Sequence, residues 1–360
     1  MFWLCLILVS LTLASCAGQE QSDFPGSSCA YAKYFDIQAR GDASSGISVV
    51  LISPDGAKRD TLCVDEPLDN IICLSSSHVA ALAEVGADSV ITAVSGIGYI
   101  SNPSIRDRAS GRNPDLAVYD IGYENSLDYE RILALKPNVL VTYTVSDAEP
   151  PYVEKLRSLG VPLMILHDHL EEHPLARAEY VRLFGALTGR LEYADSLFSK
   201  VVSRYDELAL SVKEAGRPEV NVLLNLPYAD AWYIPGKDNY MSRIISDAGG
   251  NVLGAREQSS VSGVVSLETA YGLSMKADLW LNPGSCRTRG ELARSHRLFP
   301  KFGPLAGAKP IYNNTLRITP EGGNDFWESG AMRPDLVLED LVRIFRGDEA
   351  DSLNYFFRLD

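Results

Sequence analysis

The sequence predicts an α/β protein built as two lobes with mainly parallel sheets, joined by one long bridging α-helix. Three observations carry this. From Pro174 to Ala215 the apolar residues Val181, Phe184, Leu187, Leu191, Ala194, Phe198, Val201, Tyr205 and Leu208 recur every three or four positions, the period of one helix face. On both sides of that stretch short β-branched runs alternate with helical segments, the pattern of parallel strands linked by crossovers. A chain of 360 residues is also too long for one ordinary core and suggests two domains.

The bridging stretch carries proline only at its first turn, Pro174, where a missing N–H costs nothing. One unbroken helix is expected from 173 to 216, spanning roughly 50 to 60 Å at 1.5 Å per residue. A formal charge of −14 excludes a nucleic-acid surface, because phosphate binding needs clustered Lys and Arg.

The chain begins with an almost wholly apolar run, Met1 to Leu13, with no Lys or Arg before it. It is too short to span a membrane and reads as the core of an export signal, 1–15. Leu13-Ala14-Ser15-Cys16 resembles the lipobox of bacterial lipoproteins, which implies lipidation of Cys16 and a polar tether over Gln19 to Ser28. Cys29, Cys63, Cys73 and Cys286 then remain in the mature chain; export permits disulfides, and four cysteines allow three pairings. Cys73, inside the apolar run Ile71 to Leu74, reads as a buried strand residue.

Residues 16–69 form tether and N-terminal β ribbon: Ile47 to Ser53 is a strand, Pro54-Asp55-Gly56 a turn and Asp60 to Val64 the return. The first lobe, 70–172, offers strands Ile71–Leu74, Val90–Val94, Val118–Ile121, Val139–Thr142 and Leu163–Leu166, with helices near His78–Val85, Asp128–Leu135 and Tyr152–Leu159. The second lobe, 217–360, repeats the theme with strands Val220–Leu226, Val264–Val265, Asp278–Leu281 and Ile311–Tyr312. Its helices fall near Tyr240–Ala248, Leu267–Met275, Glu291–Leu298 and Pro334–Phe345. The segment starting at Ser126 lies over that starting at Ser266 without a gap, so one helix–strand unit is used once per lobe.

Several stretches together carry a family resemblance. They are Ile72 through Ser77-His78-Val79-Ala80-Ala81-Leu82 to Val94-Ser95-Gly96; Glu130-Arg-Ile-Leu-Ala-Leu-Lys-Pro-Asn-Val-Leu-Val; the bridging stretch; Ile244-Ile-Ser-Asp-Ala-Gly-Gly-Asn; and Ser266-Leu-Glu. In this order and spacing the chain, from Ile71 to Arg346, resembles the periplasmic substrate-binding proteins of ABC importers for ferric siderophores, haem and cobalamin. The resemblance implies two Rossmann-like lobes, a cleft between them at the carboxyl ends of the strands, and small lobe movements because a continuous helix resists bending. It further implies a monomer, no resident cofactor, and a permease dimer as partner.

Candidate cleft residues are Tyr99, Tyr123 and Tyr143 from the first lobe and Tyr228, Trp232, Tyr233 and Trp327 from the second. Flat rings bury much area at low entropy cost and suit an aromatic or macrocyclic metal chelate. Arg106, Arg108, Arg112, Arg287 and Arg333 offer partners for ligand carboxylates. Trp280, inside an apolar strand, belongs to the core. The resemblance places one permease-docking acid on each lobe, Glu130 and Glu268; Glu268 stands two residues further from its strand turn, and the internal echo sets Asp128 opposite it.

The competing reading is the cluster His167-Asp168-His169 with His173, which offers direct transition-metal binding or a metal-dependent hydrolase. His167 also stands where it could touch a bound chelate. No Gly-x-Ser-x-Gly elbow, Walker A loop or His-Glu-x-x-His occurs, and Gly96-Ile97-Gly98 lacks the third glycine of a dinucleotide fingerprint. A non-catalytic receptor is therefore expected.

Overall fold

The computed structural model describes residues 28–40, 46–112, 116–123, 126–144, 149–229, 231–348 and 352–360. The expected export signal and Cys16 lie outside the described residues. The chain opens with an antiparallel ribbon of β1 (Phe35–Ala39), β2 (Ile47–Ile52) and β3 (Arg59–Val64). Two buried glutamate side chains hold the segment ahead of it. Glu179 accepts the backbone N–H groups of Ala30, Tyr31 and Ala32, each at 2.8 Å, and Glu171 accepts Lys33 N at 2.9 Å and Tyr34 N at 3.3 Å. Donors that would otherwise be buried unpaired are thereby satisfied.

The first lobe contains β4 (Ile71–Cys73), β5 (Ile91–Val94), β6 (Tyr119–Asp120), β7 (Val139–Tyr143) and β8 (Leu163–Leu166), all parallel in the order β6-β5-β4-β7-β8. Its central strand β4 is apolar and buried throughout, Ile71 and Cys73 facing one hydrophobic cluster and Ile72 another on the opposite face. In the second lobe lie β9 (Val220–Leu224), β10 (Trp232–Ile234), β11 (Gly250–Val252), β12 (Gly263–Val265), β13 (Leu279–Leu281), β14 (Ile311–Asn313) and β15 (Phe357–Arg358). Its sheet runs β11-β9-β13-β14-β15, parallel except for β15.

Some expectations need correction. Val264 and Val265 do not join the second sheet. They pair antiparallel with β10 in a separate two-stranded ribbon, Trp232 opposite Val265 and Tyr233 opposite Val264. The strands β11 and β15 were not expected, because three and two residues are too few to show an alternating pattern.

The long helix is present but shorter than the predicted rod. The stretch divides into helices Pro174–Ala178, Tyr180–Leu187 and Leu191–Ala215. Gly189 makes the main break: its φ of +68° cannot continue a right-handed helix, and a side chain there would meet Pro67 at 2.8 Å. Thr188 donates its hydroxyl to Phe184 O at 2.7 Å and Arg190 N donates to Gly185 O at 2.7 Å, closing the helix Tyr180–Leu187. The 25-residue helix that follows is about 37 Å long at 1.5 Å per residue. It buries Ala194, Phe198, Val201 and Tyr205 on the face the spacing predicts. It packs against Tyr180–Leu187 on one side and against the second-lobe helix Pro334–Arg346 on the other, where Arg204 pairs with Glu339 at 2.7 Å. Gly216, at φ +55°, ends it before β9.

Candidate functional site

In the first sheet the chain lays β5 and β6 to one side of β4, then β7 and β8 to the other. The crevice beyond the carboxyl ends of β4 and β7 is thus a topological switch point, where open α/β sheets bind ligands. A cavity of about 380 Å³ lies there, lined by Leu74, Ser75, Ser76, Ser95, Tyr99, Ile100, Tyr123 and Tyr143. Its three tyrosines, Tyr99 and Tyr123 following β5 and β6 and Tyr143 ending β7, are the set predicted for the first lobe. Tyr99 and Tyr123 are about half exposed and meet edge to face at 5.8 Å.

The geometry of these rings comes from Asp120 and Gly96, which sequence reasoning missed. The Asp120 carboxylate accepts Gly96 N and Ile97 N at 3.0 Å and Gly122 N at 2.9 Å, fixing both tyrosine-bearing turns. Gly96 has φ +65°, and a Cβ on it would lie 2.5 Å from the Tyr123 ring, so only glycine lets that ring approach. The Gly96-Ile97-Gly98 pattern was the available signal; its use is steric, not nucleotide binding.

Second-lobe candidates do not gather as tightly. Tyr228 is 79% exposed and Tyr233 43% exposed, standing opposite the exposed Val264. Trp327, 40% exposed, sits at the seam beside Tyr240 and Arg177. Trp232 is a correction: it is fully buried, stacked with Phe302 at 5.8 Å beside Trp280, and donates its indole N–H to Leu224 O at 2.9 Å. Trp280 lies in that same core, as the sequence predicts. Alternation along β10 turns Trp232 inward and Tyr233 outward.

The arginines are engaged within the protein. Arg333 forks onto Asp335 at 2.9 and 2.7 Å, and Arg287 lies 4.7 Å over the Phe357 ring and donates to Thr315 O at 3.3 Å. Arg108 donates to four backbone carbonyls, those of Asp88, Ser89, Ile91 and Leu116. Arg106 donates to Gly98 O and Ile100 O, while Arg112 pairs with Asp107. The wall of the tyrosine cavity carries phenols, hydroxyls and two aliphatic side chains, and no cation.

Residues 71–292 match the Periplasmic binding protein family. The chain belongs to the periplasmic binding protein family. This periplasmic binding protein is 25% identical over 288 residues to an uncharacterized lipoprotein of Methanocaldococcus jannaschii, covering 78% of this chain and 66% of that protein, so it spans just under two thirds of that relative's length. Its fold resembles that of a periplasmic heme binding protein from Pseudomonas aeruginosa, with 17% identity, TM-score 0.58, and coverage of 81% of this chain and 98% of that one. It also resembles the vitamin B12 binding protein of Vibrio cholerae, with 14% identity, TM-score 0.52, and coverage of 79% and 99%. The Fe3+-Desferal-bound siderophore binding protein of Vibrio cholerae shows 15% identity, TM-score 0.52, and coverage of 78% and 99%.

In this periplasmic binding protein the histidines do not form a metal centre, which corrects the competing reading. His167 packs on Tyr34 at 5.9 Å, His169 on Tyr143 at 6.1 Å and His173 on Tyr31 at 4.9 Å. His173 caps the helix Pro174–Ala178, its Nδ1 accepting Leu175 N at 3.0 Å. Burial lowers the pKa values of His167 and His169. Among the described residues no group of three or more His, Cys, Asp or Glu is placed to hold a metal. His167 lines a groove between the β ribbon and the β8 edge, outside the tyrosine cavity. The described cysteines form no disulfide.

Glu130 and Glu268 stand alike in this periplasmic binding protein. Asp128 caps the helix Tyr129–Leu135 by accepting Arg131 N at 2.9 Å, and Ser266 caps Leu267–Ser274 by accepting Thr269 N at 3.2 Å. Each glutamate is exposed and is the second residue of its helix. The gapless echo aligns strands rather than helix starts, which is why it set Asp128 opposite Glu268.

Proposed function

We propose that the chain is a non-catalytic receptor that holds a metal chelate of the ferric siderophore, haem or cobalamin class between its lobes and delivers it to an ABC importer. The observation that carries this reading is the gathering of Tyr99, Tyr123 and Tyr143 with the hydroxyls of Ser75, Ser76 and Ser95 at the first lobe's switch point. Aromatic faces supply contact area to a large flat or macrocyclic guest, and hydroxyls orient its polar rim. Trp327 and Tyr233 are the second lobe's aromatic counterparts. Support for the chelate class comes from the heme, vitamin B12 and siderophore binders that share the fold.

Delivery is assigned to Glu130 and Glu268, which occupy matching positions on matching helices, one per lobe. Retention at a membrane is assigned to a lipid on Cys16, in line with the lipoprotein relative. The protein acts as a monomer in the periplasm. Among the described residues no helix is long and apolar enough to cross a membrane.

The test is titration of the purified chain with hemin, cyanocobalamin and ferrioxamine B, followed by tryptophan fluorescence and chelate absorbance. Saturable binding of one of them that Tyr123→Ala weakens supports the proposal. No binding of any of the three rejects the chelate class.

A further inference from the structure

The segment from Gly96 to Asn102, which carries Tyr99 into the cavity, is held by both lobes. From the first lobe, the Asp120 carboxylate anchors Gly96 N and Ile97 N. From the second lobe, Thr319 donates its hydroxyl to Gly98 O at 2.7 Å, and the Glu328 carboxylate accepts Ser101 N at 2.7 Å and Asn102 N at 2.8 Å. These last two donors lie just ahead of the helix Pro103–Ala109, where backbone N–H groups have no partner of their own.

The fit is close as well as polar. Glu328 is 2% exposed. Gly323 lies flat on the backbone of Tyr99, where a Cβ would come 2.6 Å from the Tyr99 Cα. Glu321 reaches Arg106 of the first lobe at 3.8 Å. The second-lobe loop from Thr319 to Glu328 therefore grips the back of the segment whose front lines the cavity.

We propose that Glu328 is a positioning residue for the cleft: seated on Ser101 and Asn102, it fixes Tyr99 from the opposite lobe. The cavity wall of the first lobe is complete only when the second lobe is docked on it. Cleft geometry then depends on this clasp as well as on the bridging helix, and a guest pressing on Tyr99 is felt by the second lobe. The effect on binding rests on the proposed function; the clasp itself does not.

The experiment compares the full chain with Glu328→Ala, Glu328→Gln and, as a milder change, Thr319→Val. Hydrogen exchange is followed for peptides covering Ile97 to Arg106, alongside affinity for hemin, cyanocobalamin and ferrioxamine B. In Glu328→Ala, exchange over Ser101 to Arg106 should accelerate at least about tenfold while the β4 and β7 amides keep their protection, because both acceptor bonds to Ser101 N and Asn102 N are lost. Affinity for the chelate the wild type binds should fall about tenfold, and Glu328→Gln, which keeps one acceptor oxygen, should restore part of both. Thr319→Val should shift both in the same direction by a smaller factor, and it decides the matter should Glu328→Ala not fold. Unchanged exchange overturns the clasp, and faster exchange with unchanged affinity overturns the positioning role. If the wild type binds none of the three chelates, the proposed function fails, and the exchange result by itself still confirms or overturns the clasp.

Discussion

Gly96→Ala tests the steric logic of the site. The substitution keeps the left-handed backbone only at a cost of about 1–2 kcal/mol, and its methyl would enter the Tyr123 phenol, 2.5 Å from the nearer ring carbon. The phenol can yield by turning away, which forfeits its edge-to-face contact with Tyr99 at 5.8 Å, worth about 0.5–1.5 kcal/mol. A total loss of about 1.5–3.5 kcal/mol is expected in urea unfolding, and with Tyr123 displaced, affinity for the bound chelate should fall about tenfold or more. Tyr123→Ala removes the obstruction, so adding Gly96→Ala to it should cost only the backbone share, and the double-mutant cycle isolates the clash. Equal unfolding midpoints and affinities for Gly96→Ala and wild type would refute the reasoning, as would full additivity in the cycle.

Other expectations follow from the same geometry. Trp232→Phe should lower stability by about 1–2 kcal/mol through the lost indole bond to Leu224 and leave chelate affinity alone, whereas Trp327→Ala should do the reverse; urea titration and ligand titration on both variants decide. Burial pushes Glu171 up to about 8 from an ordinary value of 4.5. The folded chain therefore keeps a proton that the unfolded chain releases, and stability falls as pH rises from about 4.5 to 8, by at most about 1.4 kcal/mol per pH unit. Glu171→Gln should flatten that slope between pH 5 and 8, and parallel curves for the two proteins would contradict it. Charge reversal at Glu130 or Glu268 should leave chelate affinity intact and abolish uptake into vesicles carrying the importer, so lost affinity would count against a docking role. Cys16→Ser should convert membrane-retained protein to released protein, read by fractionation.

What the sequence by itself determined follows from periodicity and turn chemistry. Apolar runs bounded by turns located the strands Leu163–Leu166 and Val139–Tyr143 within a residue, and helix-period apolar residues located the buried face of Leu191–Ala215. The three tyrosines were legible because each follows a strand, and strand ends are where such sheets bind. Partnership was not legible. Only the tertiary structure decided that Gly189 breaks the rod, that Trp232 faces a core and Tyr233 does not, that the arginines are bound to carbonyls and carboxylates, and that three histidines near in sequence pack on three separate tyrosines. The physical reason is that periodicity is a local property of the chain. Which atoms a side chain meets depends on elements brought together across 200 residues or more, as with Glu328 and Ser101, 227 positions apart.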